Sequence, residues 1–129
     1  MFVSFCSKIP FRGVLISQCS DLNILFTHPE HRNRGAGSLL VDWGVRKADE
    51  SGVEAYVEAS LMGKPVYEKH GFVVVDVLEM KFENPNPSEE WKRFVQRLQA
   101  ESPALMWRPI GGKYEAGKTI IPWEGKPRA

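Results

Sequence analysis

Between Pro29 and Gly52 the sequence changes its period, and that change limits the fold more than any other feature. Before it, the apolar run "LNILF" stops at His28, because Pro29 biases its predecessor toward extended geometry and cannot donate to a ladder. A buried strand over residues 22–27 is expected. After Gly35 and Gly37 the text becomes helical: Ala36, Leu40, Gly44 and Ala48 recur at four-residue steps. Leu39, Val41, Trp43 and Val45 stand beside them, and Ser38, Asp42, Arg46 and Asp49 gather on the opposite side. Asp42 and Arg46 form an i, i+4 pair, Gly44 and Ala48 are small enough to let the helix lie against a sheet, and Ser51 and Gly52 end it. "VEAYVEAS" then alternates, with Val53, Ala55, Val57 and Ala59 on one face and Glu54, Tyr56, Glu58 and Ser60 on the other. A strand, a glycine turn, a helix and a second strand in this order predict a sheet with a helix packed on its face.

The same punctuation continues downstream. "KPVYEKH" fits a short helix, with Pro65 tolerated in the first turn and Gly71 as its stop. "FVVVDVLEMKF" reads as a third strand, with Leu78, Met80 and Phe82 on one face. Past the breaker "ENPNP", Ser88 is a helix cap, Glu89 and Glu90 suit the helix dipole, and Trp91, Phe94, Val95 and Leu98 mark a buried stripe. "ALMWRPI" reads as a last strand, and the glycine-rich text from Gly111 as a surface segment anchored through Tyr114 and Trp123. Residues 1–20 show no clean period around Pro10 and Gly13, so the expected division is an irregular segment 1–20, a folded domain 21–110 and a surface tail 111–129. The fold class is α/β or α+β, a mixed sheet flanked by helices.

Charge narrows the function classes. Seventeen basic residues against sixteen acidic leave a net charge of +1, too little for a protein that neutralises many phosphates along a nucleic acid. Cys6 and Cys19 make neither a disulfide framework nor a zinc motif. Lys8, Pro10 and Arg12 interrupt the apolar N-terminal text, and no run reaches membrane-spanning length, so a soluble cytoplasmic chain is expected. An anion site, if present, is local.

The glycine turn has the chemistry for one. The first amides of a helix are unpaired and point back toward the preceding loop, Gly35 and Gly37 leave room for an anion, and Arg32 and Arg34 add positive charge. The text has no Walker lysine and lacks the third glycine of a dinucleotide fingerprint. What remains is R-x-x-G-x-G at Arg32-Asn33-Arg34-Gly35-Ala36-Gly37, placed between a strand and a helix. This resembles the coenzyme A loop of the GNAT superfamily of N-acetyltransferases. The downstream segment "EASLMGKPVYEKHGF" is similar to that superfamily's N-x-x-A-x-x-L-Y-E-K-x-G-F, with Ser60 at the asparagine position and Tyr67 kept. The resemblance covers residues 21–82 and looks most like fungal members. Members carry further strands and helices ahead of this region, so it implies an N-terminally truncated domain.

The resemblance implies an N-acetyltransferase that uses acetyl-CoA as cosubstrate and no metal. A primary amine of a small molecule or peptide would attack the thioester directly. Backbone groups of Leu25, Phe26 and Thr27 would pair with the pantetheine arm, amides of Asn33, Arg34, Gly35, Ala36, Gly37 and Ser38 would hold the pyrophosphate, and Arg32 and Arg34 would neutralise it. Tyr67 would protonate the departing thiolate as general acid. Asp21, His28 and Glu58 are the candidates for general base, Glu58 reading as a structural or supporting strand carboxylate. His28 and His31 lack a third ligand at metal-binding spacing. Two other readings stand beside the enzyme: a non-catalytic acetyl-CoA-binding remnant, and an interaction module that pairs through an exposed sheet edge, with residues 22–27 as that edge and a homodimer as one result.

Overall fold

The computed structural model describes residues 2–11, 14–79 and 81–127, with side chains described from Leu25 onward. Its main sheet has five strands: β1 (Phe2–Phe11), β2 (Val14–Ile24), β3 (Glu54–Ala59), β4 (Val73–Val77) and β5 (Ala104–Arg108), in the order β1-β2-β3-β5-β4. β2 and β3 are parallel and the other neighbours antiparallel, so the sheet is mixed. Helix α1 (Ala36–Glu50) is the crossover that a parallel pair requires. Helices α2 (Lys64–Lys69) and α3 (Glu89–Ala100) connect the later strands, and β6 (Ile120–Ile121) pairs with β7 (Lys126–Pro127) in a small hairpin. No described helix is long and apolar enough to cross a membrane.

Period-two alternation divides the core into two layers. Ala55, Val57 and Ala59 of β3, with Ala104 and Met106 of β5, face α1 and α2 and pack against Val41, Val45, Ala48, Tyr67 and Phe72. Their alanines let α1 approach closely, and Ala48 is fully buried. Tyr56, Leu105, Trp107 and Val75 face the other way, where Ile121, Tyr114 and Trp123 of the tail cover them. Trp107 meets the Tyr114 and Trp123 rings edge-on, at centroid distances of 6.3 and 5.6 Å. The expected anchoring of the tail through these two aromatics is therefore present.

Several expectations need correction. Residues 2–11 and 14–20, within the segment expected to be irregular, lie in β1 and β2, and β2 runs on through Asp21 without a break. Pro10 is compatible with β1 because β1 is an edge strand and need not donate on its open side. Strand β2 ends at Ile24, so Leu25, Phe26 and Thr27 lie outside the strand expected over 22–27. Within that segment β2 is paired on one side by β1, with Ile24 opposite Phe2, while its pairing with β3 stops at Asp21. β4 stops at Val77 rather than Phe82, while Met80 lies outside the described residues. β5, which follows β4 in the chain, sits between β3 and β4 in the sheet.

Two helices bury less than their apolar text suggests. On α1 the buried line is Val41, Val45 and Ala48, whereas Leu39 and Trp43 are 71% and 46% exposed. A step of two residues turns a helix by about 200°, so a face centred on Val41 must leave Leu39 and Trp43 outside. Helix α3 has no buried residue; Trp91, Val95 and Leu98 are half-buried and Phe94 is exposed.

Candidate functional site

Strands β2 and β3 pair at Cys19–Glu54, Ser20–Ala55 and Asp21–Tyr56, and then part. β3 continues to Ala59 alongside β5, while the chain after β2 turns away. A cleft of about 590 Å³ opens where they separate, between Leu25–Thr27 on one side and Val57, Glu58 and Ser60 on the other.

The turn into α1 forms one end of the cleft. A single 3-10 turn over Pro29–His31 is closed by the His31 amide on the His28 carbonyl at 2.9 Å and by the Arg32 amide on the Pro29 carbonyl at 3.3 Å. Asn33 then takes a left-handed conformation, φ 60°, which asparagine tolerates better than most residues, and Gly35 takes φ 82°. Alternating backbone hands of this kind turn successive N–H groups toward one concavity. Gly35 is the N-cap of α1 and offers no side-chain cap, and the first turn holds no acidic residue. The first helical bond runs from the Leu39 amide to the Gly35 carbonyl at 3.0 Å, which leaves the amides of Ala36, Gly37 and Ser38 ahead of the ladder. A Cβ built on Gly35 or Gly37 meets nothing within 4 Å, so the space beside the backbone of both glycines is open.

The profile described as Acetyltransferase (GNAT) domain matches residues 2–84. The chain belongs to the GNAT acetyltransferase family. No curated protein matches it at a significant level.

Of the residues that the GNAT resemblance implies for cofactor binding, Leu25, Phe26, Thr27, Arg32, Asn33, Gly35, Ala36, Gly37, Ser38 and Ser60 line the cleft. Arg34 does not. Arg32 Nε donates to the Thr27 carbonyl at 3.2 Å, which ties the loop to the segment after β2. Ser38 Oγ lies 3.0 Å from His70 Nε2 and joins the start of α1 to the end of α2. Ser60 closes the turn into α2: its Oγ accepts from the Gly63 amide at 3.2 Å and its carbonyl from the Lys64 amide at 2.9 Å.

Tyr67 is 7% exposed, lines the cleft, and packs edge-on against Phe72 at a centroid distance of 5.6 Å. Burial pushes its phenol above the ordinary value, so at neutral pH the hydroxyl keeps its proton. Gly63 is part of this arrangement, since a Cβ there would come within 3.2 Å of the Tyr67 ring. Its role depends on the fold of the β3–α2 turn, and sequence reasoning had no signal for it.

A second arrangement missed in the sequence fixes the GNAT domain behind the cleft. Arg108, 6% exposed at the end of β5, makes a two-pronged pair with Asp49 at 2.6 and 2.9 Å and donates from Nε to the His70 carbonyl at 2.7 Å. The Gly111 amide adds a bond to Asp49 Oδ1 at 2.8 Å. The Arg108 hydrogen bonds hold the Asp49 carboxyl below its usual range, against a smaller opposing effect of burial. One guanidinium thus joins the ends of α1, α2 and β5. The signal was present: an arginine inside "ALMWRPI" has to find a partner if that strand is buried.

The His28–His31 pair does acquire a third neighbour, Glu30, with potential ligand atoms of the three within 4.8 Å of one another. All three are exposed, and His28 Nδ1 already accepts the Glu30 amide at 3.4 Å as a cap of the 3-10 turn.

Proposed function

We propose that the protein transfers the acetyl group of acetyl-CoA to a primary amine of a small molecule or peptide by direct attack. The observation that carries this reading is that unpaired helix amides, a cationic side chain and a buried, protonated phenol line one cleft. A bound acetyl-CoA supplies an activated thioester. The amides of Ala36, Gly37 and Ser38 would hold its pyrophosphate, with Arg32 beside them as counter-charge. The segment Leu25–Thr27, past the last paired residue of β2, would bond the extended pantetheine arm as a neighbouring strand would. Tyr67 would hold its proton on Oη and give it to the sulfur as the C–S bond breaks.

The test has two stages. Acetyl-CoA is expected to raise the melting temperature of the wild type, and an Arg32→Ala, Arg34→Ala double variant to lose most of that rise. Absence of any shift for the wild type at millimolar ligand sinks the reading. Thiol release across a panel of amines then measures transfer, with Tyr67→Phe expected to slow it by about 100-fold or more while binding persists. A shift with no thiol release for any amine would reduce the protein to an acetyl-CoA-binding domain.

A further inference from the structure

His70 follows the last turn of α2, just before the glycine stop, and its backbone is fixed from two sides. Its amide donates to the Tyr67 carbonyl at 2.9 Å, and its carbonyl accepts from Arg108 Nε at 2.7 Å. That guanidinium is the one that grips Asp49 near the end of α1. Gly71, the next residue, has φ 85° and lies so near Gly112 that an added Cβ would come within 2.7 Å of its carbonyl oxygen. The end of α2 therefore has little freedom to shift. From this fixed point the half-buried imidazole reaches the start of α1, where its Nε2 lies 3.0 Å from Ser38 Oγ.

A serine inside a helix commonly turns its hydroxyl back to the carbonyl four residues earlier. Ser38 bonds across to another helix instead, and it lines the cleft with its own amide among those ahead of the α1 ladder. The direction of that bond decides what the cleft meets. A hydroxyl has one proton and two lone pairs, and a neutral imidazole has one N–H and one bare nitrogen, so either group can donate. If Ser38 donates to Nε2, its lone pairs are left for the cleft and disfavour an anion. If Nε2–H donates to Oγ, the hydroxyl proton is free to join the amides of Ala36, Gly37 and Ser38. A pyrophosphate accepts hydrogen bonds and donates none, so its binding selects the second direction.

We propose that His70 is a positioning residue for the cosubstrate: its Nε2–H holds Ser38 Oγ so that the hydroxyl donates to the pyrophosphate of acetyl-CoA. This rests on the acetyl-transfer reading and adds to it a side-chain donor and the residue, outside the glycine turn, that aims it. No covalent bond changes and no proton leaves the pair; only the sense of one hydrogen bond is set. Recognition of the anion is then shared, with α1 supplying the donors and α2 orienting one of them. Tyr67 stands on α2 three residues before His70. The same short helix thus bears on both ends of the bound molecule, through the phenol at the sulfur and through the imidazole and Ser38 at the pyrophosphate. The anchorage of His70 by Arg108 keeps those two points at a fixed spacing.

The experiment is a double-mutant cycle on the full chain, with the Kd for acetyl-CoA measured by titration calorimetry on wild type, His70→Ala, Ser38→Ala and the double variant. Each single change is expected to weaken binding by about 10-fold, and the double variant by no more than either alone, because the imidazole acts only through the hydroxyl. His70→Gln, whose side-chain amide can donate to Oγ, should recover most of the loss. S-acetylpantetheine, which keeps the thioester arm and lacks the pyrophosphate, separates aiming of a donor from general support of α2: its affinity should change by less than about twofold in His70→Ala. Equal losses for the two thioesters, losses that multiply in the double variant, or wild-type affinity in His70→Ala overturn the assignment. The cycle decides by itself where the shorter thioester binds too weakly to titrate. Should His70→Ala fail to fold, as its melting temperature without ligand would show, His70→Gln alone and combined with Ser38→Ala closes the cycle, and a glutamine that matches wild type only while Ser38 is present supports the assignment. A wild type with no melting shift in acetyl-CoA refutes the underlying reading as well, whereas a wild type that binds beside an equally tight His70→Ala refutes only the role of His70.

Discussion

Helices α1 and α3 begin in opposite ways. At α3, Ser88 Oγ accepts the Trp91 amide at 3.1 Å and Glu89 and Glu90 occupy the first turn, so the chain satisfies its own amides and offsets its own dipole. At α1 the cap is a left-handed glycine, with no side-chain bond and no acid in the first turn. Yet α1 is the helix on which the core is built, with Val41, Val45 and Ala48 buried, while α3 buries nothing completely. The chain thus closes the helix end that faces solvent and leaves open the one that faces the cleft. On the proposed reading, the donors left vacant at α1 are kept for the pyrophosphate of acetyl-CoA.

The other end of α1 sharpens this contrast, because there the amides of Ser51, Gly52 and Val53 close on the carbonyls of Lys47, Asp49 and Ala48. Arg108→Ala would leave the His70 carbonyl unpaired and the Asp49 carboxylate with the Gly111 amide but without its cation. The largest loss of stability expected at any single position, about 3 kcal/mol, follows, read as a lower denaturant midpoint. The pair also gives stability a sign with pH. Asp49 has its folded pKa below the ordinary 3.8, so its contribution is fully present above that value and is lost as pH falls through the lowered one. Acid unfolding of wild type and Asp49→Asn should therefore show a gap at neutral pH that narrows in acid. A gap that widened in acid would mean the carboxylate is not the charged partner.

Giving α1 the acidic start of α3 would break the contrast directly. In an Ala36→Glu, Gly37→Glu variant the first turn carries the charge that suits a helix dipole, and a glycine leaves the helix interior, so stability should rise by about 1 kcal/mol. Acetyl-CoA should bind about 100-fold more weakly, since two carboxylates then stand where a pyrophosphate would sit. Opposite signs for stability and affinity are the point of the measurement. If both moved together, the open end of α1 would be an accident of sequence and not a binding device.

A subtler change separates the two glycines. Gly37→Ala keeps an ordinary helical backbone and should leave stability within about 0.5 kcal/mol or raise it, while Gly35→Ala must hold a left-handed backbone and should cost about 1–2 kcal/mol. Thermal unfolding of the two variants without ligand tests the difference.

What the sequence made legible is what short-range chemistry decides. The limits of α1, β3, α2 and α3 stand close to where Pro29, Gly35, Gly52, Gly71 and Ser88 punctuate the text, and the Asp42–Arg46 pair forms at 2.9 Å. The glycine turn was readable for the same reason, being six consecutive residues. β1 and β2 were not, because an edge strand can carry Pro10 and a long hairpin needs no clean alternation over its whole length. β5 was recognisable as a strand but not as a central one, since its neighbours β3 and β4 are set by pairings between distant residues. The site divides in the same way. Arg108 and Asp49 are 59 residues apart, and the exposure of Glu58 depends on where two strands stop pairing, neither of which leaves a local pattern.

The smallest effect tests whether the two helix starts are independent. Ser88→Ala removes the side-chain acceptor for the Trp91 amide, which should cost about 1 kcal/mol at most, since water can replace the hydroxyl on an exposed helix. Because α3 has no fully buried residue, the loss should appear as faster amide exchange in its first turn with little change in the global denaturant midpoint. The melting shift produced by acetyl-CoA should match that of the wild type. A reduced shift would mean that α3 supports the cleft despite its shallow packing, and the contrast between a self-satisfied helix and a ligand-satisfied one would have to give way to a single cooperative unit.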